Sequence, residues 1–252
     1  MSLIMTRVVH ASVLFEIGGH TVLTDPWFSE KPGYYHGEPV GVPLEKLPKL
    51  SAVVVSHGHY DHYDMDAFRQ YPDKTVPMFV RKGTAEKARS AGFTNVREMD
   101  FWESAAVGDL RITAAPAKHG VPENTYVLES AGSTVFFGGD TLLIPEFQEV
   151  AQRFPSIDLA VLAINGLRIR PLLNRKVVMS GKDAADLCAL LRPKVAVPYH
   201  YAFHSSPSMD RFVLGYDGRT GSPEAFLRLV NERSPETRVK ILSPGERFIV
   251  NG

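Results

Sequence analysis

The stretch Ala52-Val-Val-Val-Ser-His-Gly-His-Tyr-Asp-His-Tyr-Asp64 joins a short apolar run to a dense group of possible metal ligands. The β-branched run is typical of a buried strand, and it is bounded by a serine. Three of the nine histidines of the chain follow within six residues, interleaved with a carboxylate. This local excess, directly after a core strand, favours a metal site over a solvated, histidine-rich loop that leads into a helix capped by Asp64.

The spacing of these ligands indicates two cation positions. Side chains alternate faces along an extended chain, so His57 and His59 can hold one cation, while Gly58 permits a sharp local bend. Asp61 and His62 then turn toward a second position. The loop alone therefore predicts only part of each metal site.

The pattern resembles the His-x-His-x-Asp-His signature of the metallo-β-lactamase superfamily. The chain is most similar to the branch that contains L-ascorbate-6-phosphate lactonase and N-acyl-phosphatidylethanolamine phospholipase D. This resemblance covers nearly the whole chain, and it implies an αββα four-layer sandwich with two mixed sheets flanked by helices. No linker or low-complexity stretch divides the sequence, so residues 1–252 are expected to form one hydrolase domain.

The resemblance also implies a complete binuclear ligand set, in which later strand ends supply what the first loop lacks. The first metal would be held by His57, His59 and His119, the second by Asp61, His62 and His200, and Asp140 would bridge them. Asp25, in Leu23-Thr-Asp-Pro26, could be a plain turn former. The resemblance instead implies that it hydrogen-bonds around the ligand loop, where such carboxylates fix the tautomer of a ligating histidine.

Five imidazoles and two carboxylates suit zinc, manganese or iron, and not magnesium or calcium, which prefer oxygen ligands. Zinc is the first expectation, and the lactonase resemblance adds manganese. Two divalent ions, two carboxylates and a bridging hydroxide leave a net charge near plus one, which favours an anionic transition state. Because a bound metal lowers the pKa of water to about 7, hydroxide can act at neutral pH without a protein nucleophile.

The reaction indicated is hydrolysis, with Asp61 as a proton shuttle and His204 as an alternative that could equally contact substrate or pack. The lactonase resemblance favours a small anionic lactone or related carbonyl substrate, whereas the phospholipase resemblance favours a phosphodiester. Arg168 and Arg170, with Arg175 and Lys176, lie in an apparent insertion at residues 166–179. They could form a cationic lip, a solvated loop or a subunit contact. A non-catalytic metal-binding or signalling module is the third hypothesis, against which the complete ligand set argues.

Composition limits the other partners. The chain has 28 basic and 28 acidic residues, so no global field attracts it to nucleic acid or an anionic membrane. The single cysteine excludes an intramolecular disulfide and fits a reducing compartment. No stretch approaches about 18 uninterrupted apolar residues. We therefore expect a cytoplasmic protein with a small-molecule substrate, no membrane insertion and no nucleic acid, for which a homo-oligomer is reasonable.

Two further regions carry weaker signals. Residues 6–17 alternate as one strand, in which His10 is expected to be a structural, hydrogen-bonded histidine. Residues 28–48 are rich in proline and glycine and have no sustained period. A long irregular loop of this kind is usually functional or mobile, so it is expected to cover the site.

Overall fold

The computed structural model describes residues 2–250, which form seventeen strands and six α-helices. The first strands in chain order are β1 (Ile4–Val9), β2 (Ser12–Ile17), β3 (His20–Thr24), β4 (Ala52–Val55), β5 (Met78–Arg81), β6 (Val96–Met99), β7 (Ser104–Val107), β8 (Leu110–Ala115) and β9 (Thr125–Ser130). The remaining strands are β10 (Ser133–Phe137), β11 (Leu159–Ala163), β12 (Arg168–Ile169), β13 (Arg175–Lys176), β14 (Val195–Tyr199), β15 (Leu214–Gly215), β16 (Arg238–Val239) and β17 (Arg247–Ile249).

Six helices connect or cover these strands. They are α1 (Met65–Phe68), α2 (Ala85–Ser90), α3 (Phe147–Arg153), α4 (Gly181–Leu191), α5 (Pro207–Phe212) and α6 (Pro223–Arg233). The capping box expected at Ser180 and Asp183 is present at the start of α4, where the Ser180 hydroxyl accepts from the backbone N–H of Asp183. Among the helices of residues 2–250, none is long and apolar enough to cross a membrane.

Two seven-stranded sheets share one plan. The first has the order β17-β1-β2-β3-β4-β5-β6, and the second has the order β16-β14-β11-β10-β9-β8-β7. In the first sheet, antiparallel pairing gives way to parallel pairing at β3 and β4. In the second, the change comes at β10 and β11. The two sheets are therefore mixed, as predicted.

The apolar residues divide into layers that follow these sheets. The largest buried cluster joins the facing sides of both sheets, with Phe15 and Val54 from one and Phe137 and Val197 from the other. A second cluster packs α3, α4 and α6 against the outer face of the second sheet, and a third packs α1 and α2 against the first. The predicted αββα four-layer sandwich is confirmed.

Some local predictions were wrong. Residues 6–17 form two strands and not one, because the chain reverses at His10, whose φ is +51°. The insertion at 166–179 is no simple loop, since β12 and β13 lie in it and pair with β15 to make a small third sheet. Strands of two residues show no readable alternation, which explains why the sequence did not predict this sheet.

The parallel strands deliver their carboxyl ends to one edge of the sandwich. His57 follows β4, Asp140 follows β10, Asn165 follows β11, and His200 follows β14. Open α/β sheets typically bind ligands beyond the carboxyl ends of their strands. This edge is therefore where the candidate site is expected.

Two hairpin glycines away from that edge differ in the space available beside them. Gly18 and Gly132 both have positive φ, at +58° and +76°. A Cβ at Gly18 would lie 1.9 Å from Ser130 Oγ, whereas a Cβ at Gly132 would meet nothing within 4 Å. We expect Gly132→Ala to lower the free energy of unfolding by about 1–2 kcal/mol through its left-handed backbone. Gly18→Ala should cost roughly 1–3 kcal/mol more because of the contact. Urea denaturation measures both, and equal losses would contradict the contact.

Candidate metal centre

Three imidazoles form the first group of possible ligands. Nitrogen atoms of His57, His59 and His119 lie within 4.8 Å of one another. His59 Nδ1 is 2.9 Å from His57 Nε2 and 3.3 Å from His119 Nε2. His119 Nδ1 lies 2.7 Å from the carbonyl oxygen of Val177, to which it can donate. That bond leaves Nε2 of His119 directed at the group.

A second group lies beside the first and contains His10, Asp61, His62 and His200, whose ligand atoms are also within 4.8 Å of one another. Asp140 reaches into it, with Oδ2 3.2 Å from His62 Nε2 and 2.8 Å from His200 Nε2. The ring centroids of His57 and His62 are 4.2 Å apart, so the two groups are adjacent. The structure thus brings together the seven residues that the sequence proposed as ligands.

His10 is the unexpected member of the second group. Its ring is buried, and neither ring nitrogen has a hydrogen-bond partner among the described residues. The nearest carboxylate oxygen, Asp61 Oδ2, is 3.5 Å from His10 Nε2. Burial and the neighbouring His200 lower the pKa of His10 to about 3. The hydrogen bonds expected for a structural histidine are absent, and the neutral ring faces the group instead.

Asp25 lies where an orienting carboxylate would be needed. Its Oδ2 is 2.7 Å from His62 Nδ1. The same carboxylate accepts hydrogen bonds from the backbone N–H and the hydroxyl of Ser56, at 2.7 and 2.6 Å. These contacts hold the His62 ring with Nε2 toward Asp140. Outer carboxylates of this kind orient metal-binding histidines in proteins.

Sequence reasoning missed two further partners. Glu123 is buried, accepts a 2.6 Å hydrogen bond from the backbone N–H of Asp140, and lies 3.2 Å from His57 Nδ1. The side-chain amide of Asn165 is 2.8 Å from His200 Nδ1. Burial, and then the charge of Asp140, raise the pKa of Glu123. A single glutamate in a loop is usually solvent-exposed, so no feature of the sequence selects Glu123 other than its position just before β9.

The side chains fit a borderline divalent cation. Burial is the main cause that lowers the pKa of His57, His59 and His119, which keeps these imidazoles neutral at pH 7. Among the described residues, Nε2 of His62, Nε2 of His200 and Oδ1 of Asp140 are buried and make no hydrogen bond, although Asp140 Oδ2 lies 3.2 and 2.8 Å from the two nitrogens. Buried polar atoms are normally satisfied, so donor atoms that converge on one point in this way fit a bound cation. Imidazole and carboxylate donors suit zinc, manganese or iron.

Three sequence-predicted residues lie outside this centre. His204 is exposed, and its ring stacks on Tyr35 with centroids 5.2 Å apart. Arg168 donates to the carbonyl of Asn174 at 3.3 Å, and Arg170 donates to the carbonyl of Leu214 at 2.6 Å. The structure therefore does not bring His204, Arg168 or Arg170 to the ligands.

A chamber of about 630 Å³ opens onto the ligands. His59, Asp61, His119 and Asp140 line its floor. The irregular stretch at 28–48 contributes Tyr34 to the wall, together with the two residues before it. The volume is in the usual range for a small-molecule site. A substrate in this chamber would reach both ligand groups.

Comparisons with known proteins identify the family and the fold. A UPF0173 metal-dependent hydrolase of Methanopyrus kandleri is 29% identical over 257 residues, which cover 97% of this chain and 98% of that relative. An uncharacterized protein of Mycobacterium tuberculosis is 33% identical over 175 residues, which cover 62% of this chain and 46% of that protein, so the match spans about half of that relative. The structure of a metallo hydrolase from Ignicoccus hospitalis has a TM-score of 0.74 and 24% identity, with 98% of both chains covered. The beta-lactamase superfamily domain matches residues 20–201, more than half of the sequence, and the chain therefore belongs to that superfamily.

Proposed function

We propose that this chain is a metal-dependent hydrolase with a binuclear centre that cleaves an uncharged carbonyl substrate of the lactone or ester type. The observation that carries the proposal is the pair of adjacent ligand groups at the floor of one chamber. The name of the Methanopyrus kandleri relative, a metal-dependent hydrolase, supports it. We further propose that residues 1–252 act as a single domain, and the lone cysteine supports a reducing compartment such as the cytoplasm.

Each group would hold one zinc, manganese or iron ion. His57, His59 and His119 would bind the first ion, and Asp61, His62, His200 and His10 would bind the second. Asp140 would contact both, since its carboxylate lies against the second group and lines the chamber floor beside His59. Asp25 and Glu123 would keep the rings of His62 and His57 in place.

Such ions, when bound, lower the pKa of a water molecule to about 7 and polarise a carbonyl oxygen. The chain supplies the proton transfers. Burial alone would raise the pKa of Asp61, but the charge of the neighbouring His62 overcomes this and leaves it below its ordinary value. Asp61 is therefore ionised at neutral pH and can accept the proton of the attacking water. As the oxygen adds to the carbonyl carbon and the ester C–O bond breaks, Asp61 returns that proton to the leaving oxygen.

The chamber favours a carbonyl over a phosphodiester. Among its described lining residues, Arg175 is the only lysine or arginine. A phosphodiester keeps its negative charge and is best bound by several charge-assisted hydrogen bonds. The lactonase resemblance implied a small anionic lactone, but Arg168 and Arg170, which could have bound its charge, donate to backbone carbonyls elsewhere. An uncharged ester or lactone fits the chamber better.

Removal of a proposed ligand tests the reaction. We expect His59→Ala and Asp140→Asn to lower bound metal and to reduce lactone turnover by more than the roughly 10–100-fold typical of outer-sphere changes. Metal analysis by mass spectrometry and a lactone panel, run beside bis-p-nitrophenyl phosphate, measure both effects. Asp109→Asn, which alters a surface carboxylate, is the control. Full metal content with full turnover in both variants would refute the site. Inactivity of the two-metal protein on every substrate would favour a non-catalytic module.

Asp25 can be tested against a matched surface pair. Asp25 Oδ2 lies 2.7 Å from His62, and Asp109 Oδ1 lies 2.7 Å from His20. Asp25→Asn should weaken metal binding about 10–100-fold, because the orientation of the His62 ring is lost. Asp109→Asn should leave metal binding unchanged. Competition with a chelator of known affinity measures both, and equal affinities would exclude an orienting role for Asp25.

The role of His10 decides whether four residues or three bind the second metal. His10→Phe keeps an aromatic ring of similar size but removes both nitrogens. We expect bound metal to fall from about two ions per chain toward one, since the second position loses a ligand. His204→Phe, at an exposed histidine, is the control. Two tightly bound ions in His10→Phe would show that His10 is no ligand.

A further inference from the structure

Above the ligands, the wall of the chamber is apolar. Leu167, Ile169, Val177, Phe203 and Leu214 line it. Two of these side chains lie on β12 and β15, and Leu167 and Val177 directly adjoin β12 and β13. The small third sheet therefore builds most of this wall. Residues 166–179, for which a cationic lip was one of three alternatives, contribute mainly apolar side chains to the chamber.

The two serines of the wall are already engaged in hydrogen bonds. The Ser205 hydroxyl donates to the carbonyl of Gly33 at 2.8 Å. The Ser206 hydroxyl accepts from the backbone N–H of Met209 at the start of α5. Arg175 is exposed at the outer end. Because these hydroxyls have partners, the wall offers a ligand apolar contact more than hydrogen bonding.

Large apolar side chains also stand at the mouth. Leu172 and Met209 line the chamber although they are 57% and 38% exposed. The neighbouring Leu173 is 98% exposed and does not line it. Exposed apolar side chains beside a cavity commonly mark a ligand-binding surface. Leu172 and Leu173 thus form a natural pair for a test.

We propose that the substrate carries an alkyl or aryl group of several carbons, which lies against this wall while its carbonyl faces the chamber floor. The proposal rests on the proposed hydrolase function and narrows its substrate class. The wall and the ligands line one continuous chamber of about 630 Å³, more than a bare lactone ring fills. Burial of the apolar group stabilises the bound substrate and fixes its carbonyl at the ligands. Residues 166–179 and α5 then select the substrate.

A homologous series of γ-lactones tests this class. With the zinc-reconstituted protein, kcat/KM should rise about fourfold for each methylene added to the side chain, until the chamber is full. The series runs from the unsubstituted ring through butyl and hexyl to octyl. A flat or falling kcat/KM along the series would overturn the proposal.

Two leucine variants localise the effect. Leu172→Glu places a charge on the wall, so kcat/KM for the octyl lactone should fall at least about tenfold relative to kcat/KM for the unsubstituted lactone. Leu173→Glu adds the same charge one residue away, outside the chamber, and should change neither value. Both positions are more than half exposed, so both variants should fold. Equal effects of the two variants would place the alkyl group elsewhere.

A binding measurement separates this proposal from the hydrolase function. The 2-alkyltetrahydrofurans keep the ring and the chain but lack the scissile ester, and calorimetry gives their affinities for the metal-loaded protein. If the ether affinity rises with chain length but no lactone is hydrolysed, the proposal of an alkyl-binding wall is supported and the proposal of a hydrolase is refuted. If all lactones are hydrolysed at equal rates and the ethers bind with equal affinities, the proposal of a hydrolase is supported and the proposal of an alkyl-binding wall is refuted.

Discussion

The burial of ionisable side chains at one sheet edge is the constraint on which this structure depends. His10, His57, His62 and His200 are buried together with Asp61, Asp140, Asp25 and Glu123. A buried polar atom without a partner costs about 1–3 kcal/mol, and several atoms here have none. Fixed hydrogen bonds offset only part of this cost, so bound cations would stabilise the folded chain. Metal binding and folding are expected to be linked for this reason.

The parts of this arrangement that the sequence predicted are local ones. A residue that follows an apolar strand is placed by that strand, and together with the family resemblance this allowed His57, Asp140 and His200 to be proposed as ligands before the structure. Glu123 and His10 could not be proposed in this way. Glu123 is recognised only by its contacts with Asp140 and His57, which are distant in sequence. His10 was hidden because the strand reverses at it, through a left-handed backbone that alternation does not reveal.

The chamber wall was not predictable for a different physical reason. Its strands β12, β13 and β15 are two residues long, and they are defined by pairing with one another and not by their own pattern. The arginines of residues 166–179 dominated the interpretation of the sequence. In the structure Arg168 donates to the backbone carbonyl of Asn174, and Arg170 donates to that of Leu214. Ile169, which lies between the two arginines, lines the chamber. Charge in a sequence therefore did not indicate the polarity of the site.

The small third sheet builds most of the chamber wall, whereas the two large sheets position the proposed ligands. Substrate selection and metal binding therefore depend largely on different sheets. The proposed ligands follow strands of both large sheets, and Tyr126 ties these sheets together through its O–H, which the carbonyls of Val55 and Phe79 share at 3.0 and 3.3 Å. A relative shift of the sheets would pull the ligand groups apart, so the shared core must hold their spacing. The small sheet carries no ligand. The side chains of Ile169 and Leu214 can change size or polarity while the carbonyl of the adjoining Val177 still accepts from His119, so substrate preference can vary while the centre stays intact.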